Sequence, residues 1–279
     1  MDTRSPDRIR AHYEIERDLS DQLRKAPAEE RLALYSQLYD ALFERVPDHP
    51  QMTAGTDEAG RQRDVAGQLG FLRRFLRPGG TFLELGAGDC ALSRAVAETA
   101  RKVYALDVSE SITAAARDAP QIEVVLSDGV SVDVPRGTVN LAYSNQLMEH
   151  LHPDDAVAQL ANIWHALAPG CLYVCVTPNR LNGPHDVSLY FDRVATGFHL
   201  KEYTVTELSR LMRKAGFSNV ASYAHARGRS VKLPLLATVV LEAVLQHLPD
   251  PVGARLARSI PWRWALGIRL VARKTSLRR

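Results

Sequence analysis

Thr81-Phe82-Leu83-Glu84-Leu85-Gly86-Ala87-Gly88-Asp89-Cys90 is the stretch of this 279-residue chain that decides its fold. The apolar run that ends at Gly86 predicts a buried strand, and the good helix formers from Ala91 to Ala100 predict a helix. Gly86 and Gly88 allow a tight turn and a close approach of the backbone to a ligand. Because a helix N-terminus directs unpaired N–H groups into the same space, we expect a nucleotide-like cofactor to bind here.

The loop by itself has two other interpretations. Gly-x-Gly-x-x-Ala also fits the dinucleotide-binding fingerprint, which accepts alanine at its third position. The second interpretation is a turn that only joins a strand to a helix. The residues at the following strand ends help to choose between them.

Strands and helices alternate after this loop. The segments predicted as strands are Lys102 to Leu106, Ile122 to Leu126, Thr138 to Tyr143 and Cys171 to Val176. The segments predicted as helices are Ser109 to Arg117 and Asp154 to Leu167. This alternation predicts an α/β fold with a doubly wound parallel sheet, in which ligands bind beyond the carboxyl ends of the strands.

Polar residues follow three of these strands. Asp107 follows the second strand, where an acidic side chain can accept hydrogen bonds from both hydroxyls of a ribose. Asp128, with Gly129, follows the third strand and could accept a hydrogen bond from an adenine amino group. Asn145 follows the fourth strand. Each aspartate could instead cap a turn or a helix.

The chain divides into three predicted parts. Residues 1–60 form an N-terminal helical cap, with two helices between residues 4 and 46. Residues 61–226 form the Rossmann-like nucleotide-binding core, which begins with a helix from about Arg61 to Leu76. Residues 227–279 hold a helical insertion and the final strand of the same domain.

Two late segments carry further predictions. The irregular stretch from Pro178 to Tyr203 is long for a compact domain, which indicates a functional loop. The insertion is predicted as two helices, Leu233 to Leu248 and Val252 to Ile260, and the last strand as Ala265 to Ala272. The first of these helices is more apolar than a helix with a single buried face requires.

The composition is that of a globular protein. Hydrophobic residues make up 46% and charged residues 24%, and the net charge of +3 is too small to indicate nucleic-acid binding. Cys90, Cys171 and Cys175 have neither metal-type spacing nor the pattern of a disulfide framework, which is typical of a reducing cytoplasm. The N-terminal residues lack the apolar region of a signal peptide, and no apolar run reaches membrane-spanning length. We expect a cytoplasmic protein.

Motifs along residues 65–225 carry a family resemblance. They are Glu84-Leu-Gly86-Ala-Gly88, Asp107, Ser127-Asp128-Gly129, Tyr143-Ser-Asn-Gln-Leu-Met-Glu149-His150-Leu151 and Leu167-Ala-Pro169-Gly170. In this order they resemble the class I S-adenosylmethionine-dependent methyltransferases. They look most similar to the group with Glu-His-Leu after the fourth strand, which includes the ubiquinone-pathway O-methyltransferases. The resemblance implies a methyltransferase with S-adenosyl-L-methionine as cofactor and S-adenosyl-L-homocysteine as product.

The resemblance also implies a set of cofactor contacts. These are Glu84, Gly86, Ala87, Gly88, Asp107, Val108, Asp128, Gly129 and Asn145. The two glycines would adjoin the methionine moiety, Asp107 the ribose and Asp128 the adenine. Cys90 stands where many members have a third glycine, which should narrow the loop without abolishing binding.

Methyl transfer to a poorly acidic hydroxyl needs alignment and a general base. Histidine has a pKa that suits the base. The candidates are His150, by its motif position near the cofactor, and His185 and His199 on the irregular stretch. Each could instead be a structural hydrogen-bonding residue.

The sequence predicts no metal. Some ubiquinone-pathway relatives hold a divalent metal with acidic residues and the histidine of this motif. Gln146 stands where they carry the first carboxylate. Glu149 and His150 remain, which is a poor set for a hard cation.

The predicted acceptor is a small molecule, or a sugar-linked or lipid-linked intermediate, methylated on oxygen rather than nitrogen or carbon. A nucleic-acid acceptor is not expected, because an Asn-Pro-Pro-Tyr-type element after the fourth strand and basic–aromatic interleaving are missing. Residues 233–279 combine an apolar helix with basic residues. They could cover a lipid-like substrate, rest on the inner face of a membrane, pack on the N-terminal helices or form a homodimer.

Two other functions remain open from the sequence. An NAD(P)-dependent oxidoreductase would share the glycine loop and Asp107, but it would normally begin near its first strand and carry a separate catalytic domain. A non-catalytic scaffold with the cofactor fold is the other, and the intact glycine loop and strand-end aspartates argue against it.

Overall fold

The N-terminal helical cap has the two predicted helices. A computed structural model describes residues 2, 4–49, 58–113, 119–226 and 228–275. Helix α1 spans Pro6–Lys25 and α2 spans Ala28–Arg45. Helix α1 begins after Ser5, whose hydroxyl accepts a hydrogen bond from the backbone N–H of Arg8 at 3.3 Å. Such an N-cap satisfies one of the amides that a helix start leaves without a partner.

The core is an eight-stranded sheet with the order β3-β2-β1-β4-β5-β8-β6-β7. Its strands are β1 Thr81–Leu85, β2 Lys102–Asp107, β3 Ile122–Leu126, β4 Val139–Asn145, β5 Leu167–Thr177, β6 Phe217–Ala226, β7 Arg229–Leu233 and β8 Ile268–Lys274. Strands β1 to β5 are parallel to one another, as the sequence predicts. Strand β8 runs antiparallel between β5 and β6, and β7 runs antiparallel to β6. The sheet is therefore mixed and not wholly parallel.

Helices cover both faces of this sheet. They are α3 Glu58–Leu72, α4 Ala91–Ala97, α5 Glu110–Thr113, α6 Pro153–Ala166 and α7 Val205–Lys214. Two apolar clusters fill the spaces between the helices and the sheet, and each contains buried β-strand residues. Helix α5 was predicted to extend to Arg117, but residues 114–118 lie outside the described part of the chain. The Rossmann-like class of fold is confirmed.

The C-terminal part differs from the prediction in two elements. Strand β7 precedes helices α8 Leu235–His247, α9 Asp250–Arg258 and α10 Ile260–Leu266. Strand β7 escaped prediction because it is only five residues long and lies at the sheet edge, where none of its residues is buried. The last strand begins at Ile268, whereas Ala265 was predicted, because the tryptophan-containing segment before it is helical.

The described residues include no helix that is both long enough and apolar enough to span a membrane.

The cap is joined to the core by a buried ion pair. The guanidinium of Arg31 in α2 donates to both carboxylate oxygens of Asp155 in α6, at 2.7 and 2.6 Å. The hydroxyl of Tyr35 donates to the same carboxylate at 2.8 Å. All three side chains are buried. Because a buried carboxylate without its partners is costly, this contact fixes α2 over the sheet.

A second contact holds α1 to the irregular stretch. Arg24 donates to the backbone carbonyls of Thr196, Gly197 and His199 at 3.2 Å each. The N–H of Phe198 donates to Oε2 of Glu16 at 3.0 Å. The cap and this stretch therefore enclose the space between them.

Candidate active site

The glycine loop between β1 and α4 has the conformation that its sequence predicts. Gly86 and Gly88 have φ angles of +69° and +51°, in the left-handed region that glycine tolerates best. A Cβ on Gly86 would lie 3.3 Å from Cδ1 of Leu147, whereas the space around Gly88 is open. Cys90 also has a positive φ of +58°, and its side chain is buried in a core cluster. The open side of the loop is therefore at Gly88.

Asp107 lies at the end of β2, next to this loop. Its Oδ2 accepts a hydrogen bond from the N–H of Gly88 at 2.8 Å, and its Oδ1 accepts one from the N–H of Ser109 at 3.0 Å. Each carboxylate oxygen has two lone pairs, so both retain an acceptor site. The carboxylate is held in one orientation and can still accept from a ligand.

Glu84 lies under the loop, in β1. Its Oε2 accepts from the hydroxyl of Ser93 at 2.6 Å. Burial raises the pKa of Glu84 to about 8, and the nearby carboxylates of Asp89 and Asp107 raise it further. An environment that disfavours a second negative charge would accommodate a ligand that carries a positive charge.

Asp128 adopts the turn-capping role that the sequence left open. Its Oδ1 accepts from the N–H groups of Val130 and Ser131 at 2.8 and 2.6 Å, and its Oδ2 accepts from the hydroxyl of Ser131 at 2.8 Å. Burial alone would raise the pKa of Asp128, but these hydrogen bonds outweigh it and the pKa is lowered. Its role toward an adenine stays a prediction.

The other predicted cofactor residues lie at the same edge of the sheet. Gly129 has a φ of +87°, and a Cβ there would lie 3.1 Å from the ring of Tyr35. Ala87 is buried, Val108 packs against the core, and Asn145 ends β4. Because β4, β1, β2 and β3 are adjacent and parallel, their carboxyl ends meet at one edge.

This edge fits the polar half of S-adenosylmethionine. The loop is open at Gly88, an oriented carboxylate lies beside it at Asp107, and Glu84 lies beneath it. A sulfonium and an ammonium group would suit the negative carboxylate of Asp107, and a ribose would suit its oxygens; Glu84, with a pKa of about 8, could donate its proton in a hydrogen bond.

A cavity of about 260 Å³ lies between the cap and the irregular stretch. Its lining residues come from both segments and from the loop after β4: Asp2, Arg4, His12, Glu16, Tyr39, Leu42, His49, His150, His185, Asp186, Val187, Leu189, Tyr190, Phe198 and His199. The structure thus brings all three histidines predicted as catalytic candidates to one cavity. It adds two histidines of the cap, which the sequence analysis did not select.

Two residues of the irregular stretch, Phe198 and His199, fix the ring of His150 in the cavity wall. Its Nδ1 donates to the carbonyl of Phe198 at 3.1 Å, and its ring lies edge-on to that of His199 with centroids 4.9 Å apart. Burial lowers the pKa of His150 to about 3, and the nearby His199 lowers it further. Such a weak base is a poor acceptor for the proton of a substrate hydroxyl at neutral pH.

His185 and His199 share one carboxylate, that of Glu202. Nδ1 of His199 lies 2.7 Å from Oε1 of Glu202, and Nδ1 of His185 lies 3.2 Å from Oε2. Burial alone would lower the pKa of His199, but the hydrogen bond to Glu202 and the nearby Glu149 and Asp186 raise it overall. The sequence analysis missed Glu202; its position three residues after His199 was the available signal.

The cap presents a second carboxylate between two histidines. Oε1 of Glu16 lies 2.8 Å from Nε2 of His12 and 3.4 Å from Nε2 of His49. The guanidinium of Arg4 lies 3.0 Å from Nδ1 of His12. Because a guanidinium only donates, Nδ1 accepts and Nε2–H donates to Glu16. The spacing of His12 and Glu16, four residues apart on one helix face, was a signal that could have indicated this group.

Two side-chain groups in this region could hold a metal by distance alone. They are His12, Glu16 and His49, and Glu149, His150 and His199, each with its ligand atoms within 4.8 Å of one another. In the first group, Nδ1 of His12 faces a donor, whereas a metal-bound histidine usually donates from that nitrogen. In the second group, Oε1 of Glu149 is buried without a hydrogen-bond partner among the described residues. The absence of a metal stays a prediction.

Comparison with known proteins agrees with this geometry. Residues 58–222, more than half of the chain, match the methyltransferase-domain family. The chain therefore belongs to this family. The match begins after the cap, so the cap residues of the cavity lie outside the family region.

Individual relatives are consistent with this class. A protein of Mycolicibacterium smegmatis named probable S-adenosylmethionine-dependent methyltransferase is 29% identical over 136 residues, which are 48% of this chain and 51% of that protein. An rRNA methyltransferase of Streptomyces thermotolerans is 36% identical over 98 residues, 30% of this chain and 32% of that protein. The matched region of the mycobacterial relative is thus about half of its length. Neither relation identifies the Glu-His-Leu group or a ubiquinone-pathway enzyme.

A solved structure shows the same fold over most of the chain. The 1,6-didemethyltoxoflavin-N1-methyltransferase of Burkholderia thailandensis, with bound 1,6-didemethyltoxoflavin and S-adenosylhomocysteine, has a TM-score of 0.56 and 21% identity. The alignment covers 90% of this chain and 92% of that one. At this identity the likeness supports the Rossmann-like methyltransferase fold.

Proposed function

We propose that this chain is an S-adenosylmethionine-dependent methyltransferase that methylates an oxygen atom of a polar small molecule, or of a sugar-linked or lipid-linked acceptor, inside the cavity under the cap. The observation that carries this proposal is the closeness of the glycine loop to the cavity wall. Leu147 contacts the position of Gly86, and His150, three residues later, lines the cavity. An acceptor in the cavity would therefore lie next to the cofactor edge.

The chemistry needs alignment and the removal of one proton. S-adenosylmethionine, when bound, supplies a methyl group that is already activated by its sulfonium. The cavity walls orient the acceptor, and the cap excludes water from it. A histidine nitrogen would accept the proton of the acceptor hydroxyl, and S-adenosylhomocysteine would be the leaving group.

Of the three predicted histidines, His185 fits the role of base best. Its Nδ1 is oriented by Glu202, and one third of its side chain is exposed in the cavity region. Among the described residues, its other ring nitrogen has no hydrogen-bond partner. His150 has a pKa lowered to about 3, and Nδ1 of His199 is taken up by Glu202 at 2.7 Å, which raises the pKa of His199 and favours its cation more than in an ordinary histidine.

The cavity favours a compact polar acceptor over a polynucleotide. Its wall combines histidines and carboxylates with the rings of Tyr39 and Phe198. Hydroxyl groups of a sugar would find hydrogen-bond partners there, and a small ring would find an aromatic surface. A lipid-linked acceptor would also require peripheral contact with a membrane, for which residues 233–279 are the expected segment.

The test is transfer of a labelled methyl group from S-adenosylmethionine, with formation of S-adenosylhomocysteine, to pools of polar metabolites, lipid extracts and total RNA. We expect transfer to a metabolite or lipid fraction. His185→Ala should lower kcat by about a hundredfold or more, whereas the exposed His165→Ala should not change it. Labelling of RNA alone would contradict the acceptor class, and failure to bind S-adenosylhomocysteine would contradict the whole proposal.

A further inference from the structure

Helix α8 buries its one charged residue and exposes several of its large apolar residues. Leu236, Val240 and Val244 recur every four residues and are 73%, 52% and 54% exposed. The single charged residue of the helix, Glu242, is fully buried. Soluble helices normally have the opposite arrangement, with charged residues on the outer face.

The buried glutamate explains the orientation of the helix. Oε1 of Glu242 accepts hydrogen bonds from the side chain of Asn179 at 2.9 Å and the N–H of Val205 at 2.7 Å. Its Oε2 accepts from the N–H and hydroxyl of Thr206 at 2.8 and 2.6 Å. A carboxylate at the N-terminus of α7 is favourable, so Glu242 fixes which face of α8 points inward. The apolar face is therefore held outward by a specific contact.

Helices α9 and α10 continue this exposed apolar surface. They pack on α8 through a small core that includes Leu245, Ala257 and Leu266. With that core filled, four further large apolar side chains of the two helices remain 36–47% exposed: Val252, Leu256, Trp262 and Trp264. Exposed apolar groups on consecutive helices commonly mark an interaction surface.

Among the side chains that the structure describes, the exposed charges on β7 and these helices are positive. Lys232, Arg255 and Arg263 are exposed. In residues 229–266, the acidic side chain that the structure describes is Glu242, and it is buried. The sequence has one further acidic residue there, Asp250. Exposed tryptophans next to basic residues are typical of helices that lie in the interface of an anionic membrane. A second copy of the chain would bring the same positive charges together.

We propose that the outer surface of α8–α10 binds peripherally to the surface of an anionic lipid bilayer. The apolar side chains of α8 would enter the headgroup boundary, and the basic residues would lie against lipid phosphates. This inference is independent of the methyl-transfer proposal, since no cofactor or cavity residue takes part.

The test is flotation of the full chain with vesicles of phosphatidylcholine alone or mixed with phosphatidylglycerol. We expect binding to the mixed vesicles, weakened by high salt. Val240→Glu combined with Val244→Glu should lower that binding at least about tenfold. The matched control is Val157→Glu, which places a charge at another exposed helical valine, 40% exposed in α6, and should bind like wild type. Circular dichroism checks that each variant is folded.

Fluorescence gives a second readout. The chain has three tryptophans, so Trp164→Phe leaves only Trp262 and Trp264 as reporters. Their emission should shift to shorter wavelength with the mixed vesicles. Absence of binding to either vesicle, or equal binding to both, would overturn the proposal. A concentration-dependent dimer that the double valine variant disrupts, without vesicle binding by wild type, would assign this surface to a second copy instead.

Discussion

The backbone N–H of Gly88 donates a hydrogen bond to Oδ2 of Asp107 over 2.8 Å. This contact joins the glycine loop after β1 to the end of β2. The open side of the loop and the carboxylate that we predict to bind a ribose are thereby held as one unit. Cofactor affinity should depend on both residues for this reason.

Asp107→Asn should weaken the binding of S-adenosylhomocysteine by about tenfold to a hundredfold. The amide keeps the shape of the side chain but removes the charge and one acceptor that a ribose would use. Calorimetric titration measures the loss. Asp154→Asn, at an exposed carboxylate of α6, is the control and should bind like wild type. Equal affinities for wild type and Asp107→Asn would contradict the assigned site.

Gly86→Ala should abolish cofactor binding through two effects. The φ of +69° costs an alanine about 1–2 kcal/mol, and the added Cβ would press on Leu147. Gly137 has nearly the same φ, +70°, but open space around it. Gly137→Ala therefore measures the free-energy cost of the positive φ alone, without a steric contact. We expect both variants to melt at lower temperature, and only Gly86→Ala to lose affinity in the titration.

Glu202→Gln should lower kcat by about tenfold or more and lower the pKa of His199. Burial alone would raise the pKa of Glu202, but hydrogen bonds from His185 and His199 lower it to about 2. Without the charge, neither histidine is oriented by a carboxylate, and the cation of His199 is no longer stabilised. Rate–pH profiles and histidine proton shifts measured by NMR give the readout.

The lowered pKa of Glu202 also predicts how the stability of the protein changes in acid. Because the folded pKa of Glu202 lies below its ordinary value of 4.5, its contribution is present above pH 4.5 and is lost as pH falls toward 2. Glu202→Gln should remove this part of the acid dependence. Glu123→Gln, at an exposed ion pair with Lys102, should leave it in place.

Glu84 predicts the opposite dependence at higher pH. Its folded pKa of about 8 exceeds its ordinary value of 4.5, so folding keeps a proton that the unfolded chain releases. The free energy of unfolding should therefore fall as pH rises from 4.5 to 8. Glu84→Gln should flatten this slope in urea titrations, and the exposed Glu98→Gln should not. An unchanged slope in Glu84→Gln would contradict the assignment.

Removal of metal ions with a chelator should not change the melting temperature of the protein. Nδ1 of His199 lies 2.7 Å from Oε1 of Glu202, and the nearby carboxylates raise the pKa of His199, which disfavours the neutral ring that a metal needs. We expect the purified protein to hold less than one equivalent of metal and to keep its melting temperature in a chelator. A stoichiometric metal that His199→Ala loses and His185→Ala retains would show that the second group, Glu149, His150 and His199, is a metal site.

The sequence by itself determined the sheet edge at which we predict the cofactor to bind. The glycine loop, Asp107 and the alternation of strands and helices are local patterns, and adjacent parallel strands bring their ends together by rule. The two cap helices also followed from apolar spacing along one chain segment. The antiparallel edge strand β7 and helix α10 did not, because local preferences there are weak.

The acceptor cavity was decided only by tertiary structure. Glu202 gains its role by lying between His185 and His199, and Glu16 by lying between His12 and His49. Helix α2 reaches the core through Arg31 and Asp155, which are 124 residues apart. No local pattern encodes such contacts, because they depend on how distant segments pack. The sequence named three histidines of this cavity, and the fold supplied the partners that orient them: Glu202 for His185 and His199, and the carbonyl of Phe198 for His150.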